Sequence, residues 1–120
     1  MAFVQVYIYR VPAKRSAEFL KVARAARDIY RRHGASGEEF FRLRSLDRKY
    51  HEIPGLWELL PPAEGEEIWI GIDRYRDAKK CAEVAAAVDR DPEILALYER
   101  VVDLVGGASR MVHAEFEEPA

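Results

Sequence analysis

The sequence predicts an α+β fold in which one four-stranded antiparallel sheet carries helices on one face, in the order β-α-β-β-α-α-β. Short runs of β-branched and aromatic residues alternate in polarity with the period of strands. Stretches with apolar residues every three or four positions separate these runs, and Gly and Pro stand at the boundaries between elements. At 120 residues, the chain has the length of one domain, and we assign residues 1–120 to it.

The first strand and the first helix are the clearest elements. Phe3–Val11 is a β-branched and aromatic run that Pro12 closes. From Ser16 the apolar residues recur at helical spacing: Phe19, Leu20, Ala23, Ala26, Ile29 and Tyr30. His33-Gly34 ends this helix, because glycine is the usual residue just past a helix end. Its other face is basic and is expected to be a solvated surface: Lys14, Lys21, Arg24, Arg27, Arg31 and Arg32.

The middle of the chain contains a second strand at residues 38–46 and then an unusually long connection. We call residues 47–66 of this connection the flap. Loops of this length in compact domains usually carry a function or short structure of their own. The flap is too apolar for a disordered linker, so we predict an ordered segment with room for a short extra strand, on the evidence of Leu56, Trp57, Leu59 and Leu60.

The C-terminal half supplies the remaining elements. Residues 67–75 alternate as a third strand, and residues 77–89 carry a helical apolar stripe. Asp91-Pro92-Glu93 has the cap, first-turn proline and first-turn acid of a new helix, which continues to Gly106-Gly107. The last strand is predicted over residues 109–117.

Each strand has an apolar side and a second, polar and aromatic side. We predict that strands one and three are central and that the apolar side packs on the helices: Val4, Val6, Ile8, Ile68, Ile70, Ile72, Val112, Ala114 and Phe116. The opposite face should then present the side chains that could carry function: Gln5, Tyr7, Tyr9, Trp69, Asp73, Met111, His113 and Glu115, joined by Arg42 and Arg44.

Composition narrows the class of protein and its partners. Residues 1–60 carry 12 Lys or Arg and 7 Asp or Glu, whereas residues 61–120 carry 7 and 14. Opposite charges in the two halves suit pairing within or between subunits better than nucleic-acid binding. The single cysteine, Cys81, excludes an internal disulfide and fits a reducing compartment, so we expect a cytoplasmic protein. No signal peptide and no membrane-spanning segment is predicted.

The element order is that of the ferredoxin-like split β-α-β arrangement. Five stretches resemble one uncharacterised bacterial and archaeal family of the dimeric α+β-barrel superfamily: Val11-Pro12, His33-Gly34-Ala35, Glu67-Ile68-Trp69, Asp91-Pro92 and Ser109–His113. The resemblance implies a homodimer in which two sheets pack face to face, with a cleft between each sheet and its helices or flap. The superfamily includes cofactor-free monooxygenases, haem-binding proteins, isomerases and binding proteins, so the fold does not select one activity.

His113 and Glu115 are the candidate catalytic residues. They are two positions apart on a strand and therefore share a face. A carboxylate beside an imidazole orients it and raises its pKa, as a general base requires. The alternative interpretation is a polar pair that is satisfied at a dimer interface.

The candidate ligand-binding residues come from the same face and from two other places. Tyr7, Tyr9 and Trp69 could stack on a planar ligand, or they could form the centre of a subunit interface. Arg42 and Asp73 would orient the ligand, and the flap would add Trp57. His33 lies at a helix C-terminus, where a cation is favoured, so its role is structural or ligand-binding.

No metal or other cofactor is predicted. The three histidines, His33, His51 and His113, are scattered without ligand spacing, and neither His33 nor His113 stands out as a haem ligand. Gly-rich phosphate loops and nucleophile elbows are absent.

The sequence therefore favours a homodimer that binds a small organic molecule between the sheet, the helices and the flap. The alternative is a cofactor-independent enzyme, similar to a monooxygenase or isomerase, with His113 as its base. RNA-recognition domains share the strand order, but residues 67–73 lack their basic-Gly-aromatic pattern and the net charge is −2. We expect neither nucleic acid nor a membrane as a partner.

Overall fold

The computed structural model describes all residues 1–120. Its strands are β1 (Phe3–Pro12), β2 (Gly37–Arg42), β3 (Glu66–Tyr75) and β4 (Met111–Glu117). Its helices are α1 (Ser16–Arg32), the four-residue α2 (Leu56–Leu59), α3 (Ala78–Val88) and α4 (Ile94–Val105). Short 3-10 turns at Ala13–Arg15 and Ala108–Arg110 lead into α1 and β4.

The four strands form one antiparallel sheet in the order β2-β3-β1-β4. This confirms the predicted α+β, ferredoxin-like fold and its two central strands. Antiparallel partners share a face of the sheet, so the register groups the side chains. Tyr7 is opposite Gly71 and His113, and Tyr9 is opposite Trp69 and Met111.

The helix ends follow the predicted local chemistry. Gly34 and Gly106 take positive φ angles of 119° and 88° after α1 and α4, a region that side chains with a Cβ rarely adopt. The Asp77 carboxylate accepts a hydrogen bond of 2.7 Å from the backbone N–H of Lys80 and so caps α3.

The connection between β2 and β3 differs from its prediction. β2 ends at Arg42 rather than at residue 46, and residues 43–65, which we call the β2–β3 connection, contain α2 rather than an extra strand. The Glu58 carboxylate accepts a hydrogen bond of 2.6 Å from the backbone N–H of Gly55. This bond satisfies a free donor at the start of a turn of helix, so a helix forms where apolar alternation also permitted a strand.

The prediction of which sheet face meets the helices was wrong. The helices cover the polar and aromatic side, where Tyr9 and Val11 are buried in one cluster with Phe19, Ala23, Val101 and Val105. A second cluster under α3 contains Ile29, Tyr75, Cys81, Val84 and Val88. Period-2 alternation identifies two faces but does not say which element covers each one. The large aromatic side chains of the polar face offer more area for the helices to bury.

The apolar side of the sheet consequently has no helix on it, and we call it the open sheet face. Phe41, Val112 and Phe116 are 51%, 38% and 58% exposed there. The side chains between them are half-buried: Val4, Val6, Ile8, Ile70, Ile72 and Ala114. A continuous apolar surface of this kind on a single subunit marks a contact site.

Candidate ligand-binding site

A buried ion pair lies between the sheet and the helices. Arg27 of α1 reaches down to Asp73 of β3 and donates a hydrogen bond to its carboxylate. The two side chains are 11% and 2% exposed. Two ionised groups are removed from water at high cost, so the site depends on their mutual pairing.

Burial and ion pairing shift the pKa values of these two side chains in opposite directions. Burial raises the pKa of Asp73, and the adjacent Arg27 guanidinium opposes that rise. Burial by itself lowers the pKa of Arg27, but the Asp73 carboxylate and the neighbouring tyrosines outweigh it and raise the pKa of Arg27 overall. Arg27 is therefore a permanently charged group inside the fold.

Aromatic rings enclose the guanidinium of Arg27. Its central carbon lies 4.1 Å from the ring centroid of Tyr30 and 5.2 Å from that of Tyr7. Both distances are within the range of cation–π attraction. Burial raises the pKa of Tyr7 to about 12, although Arg27 pulls it down, so the hydroxyl stays protonated at neutral pH.

A polar chain leads from this pair to the exposed edge strand. The Tyr7 hydroxyl donates a 2.8 Å hydrogen bond to the side-chain oxygen of Gln5, and the Gln5 amide donates to Glu115 over 3.3 Å. The His113 ring lies 4.8 Å from the Tyr7 ring, centroid to centroid. His113 and Glu115 are exposed, and Glu115 bonds Gln5 rather than His113. Their catalytic role stays a prediction.

A groove of about 370 Å³ opens between α1 and α4, with Arg27 in its wall. Ligand pockets in proteins begin at about this size and are mostly apolar with a few polar groups. Its lining fits that description: Ala26, Arg27, Tyr30, Asp89, Ile94, Leu95, Tyr98 and Val101. Larger hollows exist, such as one of about 580 Å³ beside Ile29 and Leu97, but they are more open to solvent.

The predicted ligand-binding residues do not line the α1–α4 groove. Tyr7 and Asp73 lie beneath it and contact Arg27, and Tyr9 lies deeper, in the core. His33 ends α1 and bonds Asp91 over 3.1 Å, joining that end to the start of α4. Trp57 lies on α2, with its ring over Gly55.

Arg42 and Trp69 form a separate group near the β2 edge. The Arg42 guanidinium lies 6.0 Å from the Trp69 ring and 3.4 Å from the Glu67 carboxylate. The indole N–H of Trp69 is buried and has no hydrogen-bond acceptor. These two residues share one face of the sheet, as the sequence predicted, but the helices cover that face, contrary to the prediction.

Arg27 departs from the predicted solvated basic face of α1, because its side chain is only 11% exposed. Its spacing carried the signal. Arg27 stands four residues after Ala23 and three before Tyr30, both of which belong to the apolar stripe of α1. A charged residue within such a stripe needs a buried partner. Asp73, on a strand otherwise rich in isoleucine, was the matching candidate.

Two further features of the structure bear on cofactors and membranes. No group of three or more His, Cys, Asp or Glu side chains is arranged to hold a metal ion. None of the helices combines the length and the apolar content that crossing a bilayer requires.

A family model described as "Protein of unknown function (DUF1428)" matches residues 2–103. The chain belongs to the DUF1428 family. That match covers most of the chain and confirms the resemblance to an uncharacterised family. No curated protein sequence is significantly similar to this DUF1428 protein.

Solved structures similar to this DUF1428 protein share its fold at low identity. A variant of SnoaB, a cofactor-independent oxygenase from Streptomyces nogalater, aligns with a TM-score of 0.64 and 16% identity, covering 99% of this chain and 94% of that one. An uncharacterised NIPSNAP domain protein from Burkholderia xenovorans aligns at 0.60 and 16%, covering 98% and 95%. A dimeric ferredoxin-like protein of unknown function from Jannaschia sp. CCS1 aligns at 0.63 and 12%, covering 98% and 100%.

Proposed function

We propose that this DUF1428 protein is a homodimer that binds a small organic molecule in the α1–α4 groove. The observation that carries the proposal is the position of Arg27. It lies in the wall of the groove and also belongs to the buried network with Asp73 and Tyr7. A ligand in the groove would therefore meet a mostly apolar lining with the fixed Arg27 cation and the Asp89 carboxylate, and a mostly apolar lining with a few polar groups is usual for a small-molecule site.

Self-association is the second half of the proposal and is supported by the open sheet face. Phe41, Val112 and Phe116 would leave water if a second copy covered this face. A two-fold contact places the same surface on both subunits, so an apolar sheet face is complementary to itself. Two similar solved structures are described as dimeric ferredoxin-like proteins, which fits this arrangement.

A screen of small organic compounds by thermal unfolding and ligand-observed NMR tests the binding half. A compound present at 100 times its Kd stabilises the folded state by about 2.7 kcal/mol. For a chain of this length, that stabilisation raises Tm by roughly 10 °C. We expect compounds with an apolar body and one hydrogen-bond acceptor to be the ones that bind.

Substitutions in the α1–α4 groove test whether the compounds bind there. Leu95→Asp and Tyr98→Ala change exposed side chains of the groove, so we expect them to weaken binding about tenfold or more without unfolding the protein. Lys79→Ala changes an exposed side chain of α3, outside both the groove and the open sheet face, and is the control. Binding that both groove variants leave intact, or a screen without a single binder, overturns the proposal.

A second candidate is a cofactor-independent enzyme, and the contact between His113 and Tyr7 is the observation that favours it. His113 would act as the base and Tyr7 would orient the substrate, while Asp73 would act only through Arg27. Arg42, also a candidate from the sequence, lies on β2 at the opposite edge of the sheet from His113 and takes no part in this site. Oxygen uptake and product formation, measured with the compounds that bind, test this role. Loss of turnover in His113→Ala with unchanged binding supports it, and full turnover in that variant removes the proposed base.

A further inference from the structure

The exposed apolar side chains of this protein are concentrated in two regions. Of the ten large hydrophobic side chains that are exposed, three are on the open sheet face and four are in the β2–β3 connection. The four in the connection are 56–76% exposed: Leu46, Tyr50, Ile53 and Leu59. Scattered single hydrophobic residues are normal on a surface, but a cluster beside an apolar face marks an interaction site.

The connection holds these side chains outward by an internal framework. Arg48 donates two hydrogen bonds to Glu58, of 2.7 and 2.5 Å, and a third of 3.1 Å to the backbone oxygen of His51. The Ile53 N–H bonds the Tyr50 carbonyl oxygen over 2.9 Å. A segment stabilised in this way is already ordered, so docking it to a partner costs little conformational entropy.

The connection is also continuous with the open sheet face. The backbone N–H of Leu43 bonds the carbonyl oxygen of Ile68 over 2.8 Å, which extends the β2–β3 pairing one residue beyond Arg42. The chain therefore leaves the sheet two residues after Phe41, at the rim of that face. A second copy seated on the face would therefore meet the start of the connection.

The open sheet face by itself is near the lower limit of size for a stable dimer. Strands of 10, 6, 10 and 7 residues span a flat area of roughly 500 Å² per subunit, using about 3.3 Å per residue and about 4.8 Å between strands. Stable interfaces bury about 800 Å² of accessible surface per subunit, and the accessible surface of a face exceeds its flat area because side chains protrude. The apolar side chains of the connection are further surface that can enlarge the contact.

The charge of the β2–β3 connection argues against a nucleic acid or an anionic membrane as its binding partner. Residues 43–65 contain three Lys or Arg and four Asp or Glu. Nucleic acids and anionic membranes select a basic surplus, which this segment lacks. A near-neutral apolar surface suits another protein surface of the same kind.

We propose that the β2–β3 connection belongs to the contact between two copies of this chain, with Tyr50, Ile53 and Leu59 packed on the partner subunit. This inference rests on the homodimer proposed above and adds a second contact region to it. The dimer is then held by the connection as well as by the sheet, and removing the apolar side chains of the connection weakens it.

Sedimentation equilibrium tests the inference with the full chain. The variant Tyr50→Ser/Ile53→Ser/Leu59→Ser should raise the dimer Kd about tenfold or more, whereas Leu95→Ser, an equally exposed leucine on α4, should leave it unchanged. Circular dichroism and Tm check that both variants fold. An unchanged Kd in the triple variant overturns the inference while the dimer stands, and points to a different partner for the connection. A wild-type chain that is monomeric at all concentrations overturns the proposed homodimer itself.

Discussion

Arg27 of α1 and Asp73 of β3 form an ion pair that is almost wholly buried between the helices and the sheet. The pair ties the helix that lines the groove to a central strand. The rings of Tyr7 and Tyr30 lie over the guanidinium, and Arg27 also lines the groove. The same residue therefore serves the stability of the fold and the proposed site.

Breaking this ion pair should be costly. Arg27→Met leaves the Asp73 carboxylate buried without its partner, so we expect the free energy of unfolding to fall by about 3–5 kcal/mol. Arg24→Met, an exposed arginine on the same helix, should change it by about 0.5 kcal/mol or less. Urea unfolding followed by circular dichroism measures both.

The double variant Arg27→Met/Asp73→Val distinguishes an unpaired charge from lost packing. Buried ion pairs can often be replaced by apolar residues at little cost, so the double variant should recover most of the stability lost in Arg27→Met. A double variant as unstable as the sum of the two single variants would show that the pair is needed for packing rather than for charge balance.

Alkaline pH should destabilise the protein through its buried tyrosines. Burial is the largest influence on Tyr7 and raises its pKa from 10.0 to about 12, and burial also raises the pKa values of Tyr9 and Tyr75. The folded state holds these protons where the unfolded chain releases them. The contribution of these protonated tyrosines to the free energy of unfolding is therefore fully present below pH 10. It declines as the pH rises toward 12. Tyr7 alone accounts for about 2–3 kcal/mol of the decline.

Urea unfolding at a series of pH values, with tyrosinate formation followed by ultraviolet difference spectroscopy, measures this effect. Tyr7→Phe keeps the ring against Arg27 and removes the titrating group, so the decline in stability above pH 10 should be smaller in this variant. An equally steep decline in Tyr7→Phe would assign the effect to the other tyrosines.

Local patterns in the sequence were sufficient for the main elements and the sheet order, but not for α2 or for the two sides of the sheet. The alternation of Val4, Val6 and Ile8 against Gln5, Tyr7 and Tyr9 is a property of β1 alone. Which side is covered by helices depends on contacts between distant residues, such as Tyr9 with Phe19. An apolar strand face also has the same sequence pattern whether a helix or a second subunit buries it.

Some residues of the candidate site could likewise be predicted from the sequence, and others could not. Asp73, Tyr7, His113 and Glu115 were identified as polar residues on one face, and the structure places them there. A basic helix face is usually solvated, so the sequence indicates an inward Arg27 only through its position within the apolar stripe, and the pairing with Asp73 in the structure shows that it points inward. The groove likewise depends on how α1 and α4 pack, which the pattern of either helix alone does not describe.

A charge on the open sheet face should dissociate the proposed dimer. Phe116 is 58% exposed in one subunit, so Phe116→Asp should leave the fold of that subunit intact. In a two-fold contact the substitution places two uncompensated carboxylates in an apolar interface, and we expect a mainly monomeric protein at micromolar concentration. Size-exclusion chromatography with light scattering measures the mass, and Leu95→Asp on the other side of the molecule is the control. A dimeric Phe116→Asp variant would exclude this face from the contact.

The order of the β2–β3 connection should depend on the ionisation of Glu58. Hydrogen bonds from the Arg48 side chain and from the Gly55 backbone lower the pKa of Glu58 from 4.5 to about 2. The folded connection therefore favours the ionised form of Glu58. The stabilisation that the Glu58 carboxylate gives to the connection is fully present above pH 4.5 and is lost as the pH falls toward 2. Glu58→Gln removes the charge at every pH and should speed both amide hydrogen exchange and protease cleavage within residues 47–60 at neutral pH. Glu52→Gln, an exposed carboxylate in the same connection, should not. Equal exchange in the two variants would show that the Arg48–Glu58 pair does not order this segment.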